Sequence, residues 1–263
     1  MSVVSLRIDD HDVVVSSGTT LLKAMRLAGL SIPTLCYLDG VTPAAACRLC
    51  LVEIDDTEKL EAACVTHVQE GMRVKTNTPR LKEIRLSLIE MLFTEGNHVC
   101  ATCVANGHCE LQDLAVQFGM DHSRLSYRFP VRHVDLSHPR FGLDHNHCIL
   151  CTRCVRVCDQ VEGAHVWDVA WRGERCQIIS GLSQPWGEVQ ACTDCGKCID
   201  ACPTGALFHK ENTCEEKHAH PDRLQGLVVH ASITTETHEC LSITQASGDR
   251  LVSGLFRLPY VLS

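Results

Sequence analysis

The chain has 263 residues, of which 45% are hydrophobic, and its formal net charge is −8. The length suggests about two domains with room for a buried core, and the negative charge argues against a nucleic-acid partner. There is no uninterrupted run of the roughly 18 apolar residues that a membrane helix needs, and residues 1–12 do not resemble a signal peptide, so we expect a cytoplasmic protein without membrane insertion.

The cysteine content is unusual, with 18 cysteines in the chain. A reducing cytosol does not support a disulfide framework of that size, so this number indicates metal binding. The cysteines fall into four groups at residues 36–64, 100–109, 148–158 and 192–202, and three lie outside them: Cys176, Cys214 and Cys240. The grouping predicts three domains and a tail, with bounds at residues 1–78, 79–135, 136–210 and 211–263.

The first segment predicts a small mixed fold around a four-cysteine site. Alternating apolar residues predict a β-hairpin over residues 4–15, and Thr19 or Thr20 begins a helix that ends at Gly29. The candidate ligands that follow are Cys36, Cys47, Cys50 and Cys64.

The spacing of these four cysteines is C-x10-C-x2-C-x13-C. Three thiolates from one loop and one from a distance are typical of a [2Fe-2S] cluster. Structural zinc is the alternative, because C-x2-C pairs also bind zinc. Zinc sites usually use two short pairs, however, whereas Cys36 and Cys64 each stand alone, and the pattern therefore favours iron.

The second segment begins with a predicted helix. Thr78 and Pro79 provide a helix start, and the helix ends near Gly96. Its apolar residues recur at intervals of three and four and predict a stripe that faces the core: Leu81, Ile84, Leu88, Met91 and Leu92.

This helix leads into a set of three cysteines, Cys100, Cys103 and Cys109. The set is one ligand short of a [4Fe-4S] cluster, so another residue must complete it. His98 is the leading candidate, because imidazole can replace thiolate on iron. His108 is a weaker rival, since adjacent residues such as His108 and Cys109 rarely both point at one metal. Other histidines nearby are expected to be solvated or to lie in the core: His133, His138, His145 and His147.

The third segment carries the motif C-x2-C-x2-C-x3-C twice, 44 residues apart. The first copy is Cys148, Cys151, Cys154 and Cys158, and the second copy is Cys192, Cys195, Cys198 and Cys202. In this bacterial ferredoxin motif the fourth cysteine ligates the other of two [4Fe-4S] clusters. The motif therefore predicts one cluster on Cys148, Cys151, Cys154 and Cys202, and another on Cys192, Cys195, Cys198 and Cys158. Pro203 completes the second copy, whereas Asp159 replaces the proline in the first.

In this order, and with Glu-Leu-Gln at residues 110–112, the motifs resemble a known electron-transfer region. It is shared by the large iron-sulfur subunit of respiratory complex I, the iron-only hydrogenases and the diaphorase small subunit of NAD-reducing nickel-iron hydrogenases. The resemblance covers about residues 3–210. It implies an α+β fold with a β-grasp [2Fe-2S] ferredoxin domain, a small helical domain with one His and three Cys ligands, and a bacterial-type two-[4Fe-4S] ferredoxin domain. Only Val99 separates His98 from Cys100, where the other relatives have three residues.

Chain length favours the diaphorase subunit, because the 53 residues after Lys210 leave no room for the catalytic or molybdopterin-enzyme-like domains of the other two groups. The resemblance then implies an electron-transfer subunit of a cytoplasmic NAD-reducing hydrogenase, with one [2Fe-2S] and three [4Fe-4S] clusters and no catalytic residue. It also implies an FMN- and NAD-binding flavoprotein and nickel-iron hydrogenase subunits as partners. The alternatives are the electron-transfer subunit of an NAD-dependent formate dehydrogenase or complex I-like enzyme, a free polyferredoxin carrier, and a structural zinc protein.

Residues 211–263 lie outside the resemblance. Their potential metal ligands are irregularly spaced, and we do not expect them to form a site: Cys214, His218, His220, His238 and Cys240. Residues 227–229 and 255–261 predict short strands or a partner-binding segment. Cys176 is expected to be a small buried apolar residue.

Overall fold

The computed structural model describes residues 2–55, 57 and 59–211, which form an α+β fold. The strands are β1 (Val3–Ile8), β2 (His11–Ser16), β3 (Leu51–Ile54), β4 (Leu60–Ala62), β5 (Arg73–Lys75), β6 (Val134–Asp135), β7 (Phe141–Asp144), β8 (Trp167–Ala170), β9 (Gln177–Ser180) and β10 (Leu207–His209). The α-helices are α1 (Leu21–Leu27), α2 (Pro79–Glu95), α3 (Glu110–Gln117), α4 (Arg153–Val157) and α5 (Lys197–Asp200). The predictions for residues 211–263 lie outside the described residues, apart from residue 211.

The first sheet has five strands in the order β2-β1-β5-β3-β4. Strand β1 pairs antiparallel with β2 and parallel with β5, which is the β-grasp arrangement. Helix α1 packs on this sheet, and its first turn is capped by Thr20, whose Oγ1 accepts a hydrogen bond from the Lys23 amide at 3.4 Å. The predicted hairpin and helix are confirmed, and the long loop between α1 and β3 is left to carry cysteines.

Helix α2 begins and ends as predicted, with Thr78 as its N-cap and Gly96 after its last turn. The predicted core-facing stripe was partly wrong, because Met91 is 47% exposed. The buried face follows a four-residue step instead: Leu81, Arg85, Ile89 and Phe93. A charged residue in the middle of this face hid the pattern. Arg85 is buried because its guanidinium donates to three backbone carbonyls, those of Leu49, Leu51 and Thr76.

Two smaller sheets organise the third segment, one in the order β10-β7-β6 and one pairing β8 with β9. The short helices α4 and α5 lie within the two copies of the cysteine motif, and each contains the third cysteine of its copy. Their starts are equivalent, since Leu150 and Thr152 before α4 and Asp194 and Gly196 before α5 all have positive φ. These pairs are also 44 residues apart, so the sequence repeat is a repeat of backbone conformation.

The described residues pack into three apolar clusters, one for each cysteine-bearing region. The third cluster contains residues from all three regions, because Cys47, Cys109 and Ile149 contribute to it. Within the described part of the chain, no helix has both the length and the apolarity to cross a bilayer.

Candidate metal centres

The first candidate site lies in the loop before β3 and in the turn after β4. The structure brings together all four cysteines predicted there: Cys36, Cys47, Cys50 and Cys64. Their side chains form two hydrogen-bonded pairs, Cys36 with Cys47 and Cys50 with Cys64. The loop turns tightly enough to bring them together because Ala45 and Arg48 adopt left-handed conformations.

Backbone amides point at these sulfurs. The Leu35 amide donates to Cys47 Sγ at 3.4 Å, and the Ala46 amide donates to Cys36. The hydrogen bond from Cys47 lowers the pKa of Cys36 to about 5, whereas the same contact raises the pKa of Cys47. Without a cation nearby, ionisation of one thiol in a pair therefore disfavours ionisation of the other. Three buried cysteines and the half-buried Cys47 fit a cationic centre, which allows several thiolates to coexist away from water.

The second candidate site joins the turn after α2 to the start of α3. The structure places Cys100, Cys103 and Cys109 close enough for their charges to act on one another. Burial raises the pKa of Cys109 to about 11, and the Leu111 and Gln112 amides in the first turn of α3 donate to its sulfur. Amides at a helix start lack partners within the helix and stabilise negative charge. This set fits a metal centre that still needs a fourth ligand.

Two imidazoles, those of His98 and His147, pack against each other in this region. The His98 and His147 rings are 5.8 Å apart, edge to face, and the Nε2 atom of each is buried without a hydrogen-bond partner. Burial lowers the pKa of His98 to about 4, so its ring is neutral and able to ligate metal. The Nδ1 atom of His147 lies 2.8 Å from Asp144 Oδ2. The His147 ring also contacts the Cys103 side chain. His108 is exposed.

His147 is a residue that the sequence reasoning missed. Its contacts with the Asp144 carboxylate and with Cys103 raise its pKa to about 9. It stands directly before the first cysteine of the first copy, so it touches one site while its neighbour Cys148 belongs to another. That position was the only available signal, and it does not show which way the ring points.

The third candidate site is an apolar cavity lined by four cysteines from both copies: Cys148, Cys151, Cys154 and Cys202. We call it cavity A. Burial raises the pKa of Cys148 to about 12 and raises those of Cys151 and Cys154 as well. Thiolates in such an apolar enclosure require nearby positive charge, which a metal cluster supplies.

The fourth candidate site is the corresponding cavity for the remaining cysteines: Cys158, Cys192, Cys195 and Cys198. We call it cavity B. The structure therefore places the fourth cysteine of each copy beside the first three of the other copy. Cavity B differs from cavity A in its aromatic lining, which consists of Phe141, Trp167 and Trp186.

Cavity B also has a polar wall that sequence reasoning missed. His138, Cys192 and Asp194 offer metal-ligand atoms within 4.8 Å of one another. Because Cys192 lines cavity B, we interpret this group as part of the cavity wall. His138 is 54 residues away from Cys192 in sequence, and no local spacing links the two.

Buried arginines connect the sites. The Arg156 guanidinium donates to the carbonyls of Cys36 at 2.5 Å, Thr42 at 2.8 Å and Cys151 at 3.1 Å, and so bridges the first site to cavity A. Arg153 forms a bidentate ion pair with Glu110, at 2.7 and 2.8 Å, which connects cavity A to the second site.

A close approach supports the second connection. A Cβ atom at Gly205 would overlap with Cys103 Sγ, so the backbone beside cavity A lies directly against this sulfur of the second site. Cavity A thus adjoins both the first and the second candidate sites. Cys176 lies outside the four cysteine sets and is half-buried, which is less than predicted.

Three family models match consecutive parts of the chain. A 2Fe-2S iron-sulfur cluster binding domain matches residues 2–79, the NADH-ubiquinone oxidoreductase-G iron-sulfur binding region matches residues 85–124, and the ferredoxin-like domain of NADH-quinone oxidoreductase subunit 3 matches residues 139–208. Fold, cysteine sets and models together define a multidomain iron-sulfur protein of the ferredoxin type.

Individual relatives narrow this class. The chain is 34% identical over 210 residues to the gamma subunit of the NAD-reducing hydrogenase HoxS of Cupriavidus necator, covering 79% of this chain and 87% of that protein. It is 38% identical over 210 residues to an NADH-quinone oxidoreductase subunit of Rhizobium meliloti, covering 78% of this chain and 24% of that protein. The chain spans 24% to 46% of the length of the first four curated relatives.

A solved structure agrees. A chain in the crystal structure of NAD+-reducing NiFe-hydrogenase in the H2-reduced state matches with a TM-score of 0.76 and 34% identity, covering 80% of this chain and 89% of that one. The chain belongs to the family of iron-sulfur electron-transfer subunits that NAD-reducing hydrogenases and complex I share. It contains a 2Fe-2S domain and 4Fe-4S-binding domains, as predicted.

Proposed function

We propose that the chain holds one [2Fe-2S] and three [4Fe-4S] clusters. The [2Fe-2S] ligands are Cys36, Cys47, Cys50 and Cys64, and the ligands of the middle [4Fe-4S] cluster are Cys100, Cys103, Cys109 and His98. Cavity A takes one further [4Fe-4S] cluster and cavity B takes the other, each on its four lining cysteines. The division of eight cysteines into two crossed cavities is the observation that carries this proposal.

The function that follows is electron transfer within an oxidoreductase complex, with no substrate site among the described residues. Bound clusters supply one-electron transfer, while protein residues fix their positions, exclude water and donate hydrogen bonds. Arg156 and the pair formed by Arg153 and Glu110 hold the first three sites against one another. An electron relay needs such fixed distances between its centres, whereas an independent zinc module does not need them.

The partners that fit are those of a cytoplasmic NAD-reducing hydrogenase. Support comes from the gamma subunit of HoxS, because this chain covers 87% of that protein. In the proposed complex a flavoprotein binds FMN and NAD, a nickel-iron module oxidises hydrogen, and this chain conducts electrons between them in either direction.

The test is to co-express the chain with candidate flavoprotein and nickel-iron subunits and to compare three activities. Replacing Cys148 with alanine should abolish hydrogen-dependent NAD reduction. It should leave hydrogen oxidation with a dye, and NADH oxidation with a dye, near normal. The matched control Cys176→Ala should retain all three activities. Unimpaired coupling in the Cys148→Ala complex would contradict the proposal.

A complex I-like or formate-dependent enzyme is the second candidate, and the 38% identity to an NADH-quinone oxidoreductase subunit favours the complex I-like form. Both candidates use the same clusters but different partners. Purifying the complex under anaerobic conditions and identifying its subunits separates them. Quinone-reducing or formate-oxidising partners in place of nickel-iron subunits would move the function to the second candidate.

A further inference from the structure

Two buried tryptophans reach sulfurs of cavity B. Trp186 Nε1 donates to Cys192 Sγ at 3.4 Å. Trp167 and Cys198 line the same cavity, and a hydrogen bond from the Trp167 indole opposes the effect of burial on the pKa of that thiol. An indole has one N–H and cannot accept a hydrogen bond through it, so each contact has a fixed direction. Trp186 and Trp167 are only 1% and 4% exposed.

The aromatic rings hold these donors in place. The Trp167 and Trp186 rings are 4.7 Å apart, edge to face, and Trp186 stacks on Phe141 at 5.4 Å. His138 stacks on Phe141 at 4.6 Å and lies 4.8 Å from Trp186, so the three rings pack against one another. An indole enclosed in this way does not rotate away from its sulfur, because every alternative orientation would displace a packed ring.

The polar wall adds an opposing charge. His138 Nδ1 accepts hydrogen bonds from the amides of Arg140 and Phe141, both at 3.2 Å, so the ring proton lies on Nε2. That Nε2 is 2.7 Å from Asp194 Oδ1 and 3.9 Å from Cys192 Sγ. The same Asp194 oxygen is 3.9 Å from Cys192 Sγ, which places a negative charge beside the sulfur.

Cavity A has a different set of donors. The sulfurs of Cys148 and Cys151 accept backbone amides, from Leu150 and Arg153. The Thr204 hydroxyl lies 3.8 Å from Cys202 Sγ, but its proton is donated to the His147 carbonyl at 2.7 Å. No indole is among the residues that line cavity A in the described part of the chain.

We propose that Trp186 and Trp167 raise the reduction potential of the cluster in cavity B, and thereby keep the two cubanes of the repeated motif electrochemically distinct. The proposal rests on the cluster assignment above. Reduction adds negative charge to a cluster and its thiolates, and an N–H donor stabilises the more negative form more strongly. Removing a donor should therefore lower the potential, and removing the Asp194 charge should raise it.

The test is an EPR-monitored redox titration of the anaerobically purified chain. Trp186→Phe and Trp167→Phe should each lower one [4Fe-4S] potential, and the double variant should make reduction of that cluster about tenfold less favourable, which is 59 mV for one electron. Asp194→Asn should shift the same signal upward. The control is Trp171→Phe, which removes a tryptophan that is 52% exposed and should shift nothing.

Each outcome has one meaning. Two results would overturn the tuning role and leave the cluster assignment intact. One is an equal shift in the potentials of the clusters in cavity A and cavity B, and the other is an unchanged potential in a double variant with full iron content. Iron content corresponding to a missing cubane in the unmodified protein would instead overturn the assignment. If Trp186→Phe fails to fold, growth on a benzothienyl analogue of tryptophan removes the N–H with little change of shape, and the same downward shift is expected.

Discussion

The two copies of the cysteine motif share spacing and backbone conformation but not surroundings. Both use two left-handed residues to turn the chain between cysteines, at Leu150 and Thr152 and at the equivalent Asp194 and Gly196. Cavity A adjoins two other cysteine sites and is held to them by buried arginines. Cavity B faces an aromatic wall, and one of its cysteines, Cys195, is exposed.

This difference shows that the motif specifies how many ligands are presented and in what order, whereas the packed neighbours decide what each centre can do. Under the proposed cluster assignment, a cluster in cavity A would exchange electrons with clusters at the two neighbouring sites. A cluster in cavity B is placed near the surface, with donors that adjust its potential. The following variants test this division, beginning with the largest expected effect.

Exchanging ligands tests the crossed arrangement itself. Cys202→Ala lies in the second copy, yet it should remove the same EPR signal as Cys148→Ala, with a loss of about four iron atoms per chain. Cys158→Ala should remove the same signal as Cys192→Ala. Cys176→Ala should keep its full iron content. If Cys202→Ala instead matched Cys192→Ala, each copy would hold its own cluster and the comparison would fail.

Arg156 tests the link between cavity A and the first site. Arg156→Gln removes charged hydrogen bonds to four carbonyls on two segments, those of Cys36, Thr42, Cys151 and Thr152, and we expect a loss of about 3 kcal/mol in stability. For a protein of this size that lowers the unfolding midpoint by roughly 6–12 °C in a thermal scan.

The control for this variant is Arg128→Gln, since Arg128 pairs with Glu174 on the surface at 3.4 Å. Exposed pairs of this kind contribute little, and its midpoint should stay close to that of the unmodified chain. Equal midpoints for both variants would show that Arg156 does not join the two sites.

The ion pair between cavity A and the second site should give a smaller effect. The Arg153 side chain is 7% exposed, so Glu110→Gln leaves a buried guanidinium without its counter-charge and should cost about 2 kcal/mol. Replacing both residues with methionine should recover part of that loss, because no charge is then left unpaired. Thermal scans of the two variants measure this, and a double variant less stable than Glu110→Gln would contradict it.

Thr204 provides the smallest and most selective test. Thr204→Val removes the hydroxyl that donates to the His147 carbonyl, which should cost about 1 kcal/mol. The potential of the cluster in cavity A should barely move, because that hydroxyl proton is not directed at Cys202. A potential shift comparable to that of Trp186→Phe would remove the contrast between the cavities.

The local features of the fold could be predicted from the sequence. The β-hairpin and the starts of α1 and α2 follow from periodicity and capping residues, which act over a few positions. The pairing of β1 with β5 followed only from the resemblance to a β-grasp domain and not from these local signals, because it joins segments that are far apart in the chain.

Most of the residues that surround the sites could not be predicted from the sequence for the same reason. Arg85 and Arg156 look like surface charges in sequence, yet both are buried because backbone carbonyls from distant segments surround them. Arg156 and Cys36 are 120 residues apart. Trp186 and His147 carry no spacing signal, since their roles depend on where a ring points in the folded chain.

The central claim is that four separate centres occupy this one chain. Iron and acid-labile sulfide analysis of the anaerobically purified protein, with Mössbauer spectroscopy to sort the cluster types, tests it most directly. One [2Fe-2S] and three [4Fe-4S] clusters predict about 14 iron atoms per chain. A fully folded protein with fewer than about ten iron atoms, or with zinc in place of iron, would contradict the account.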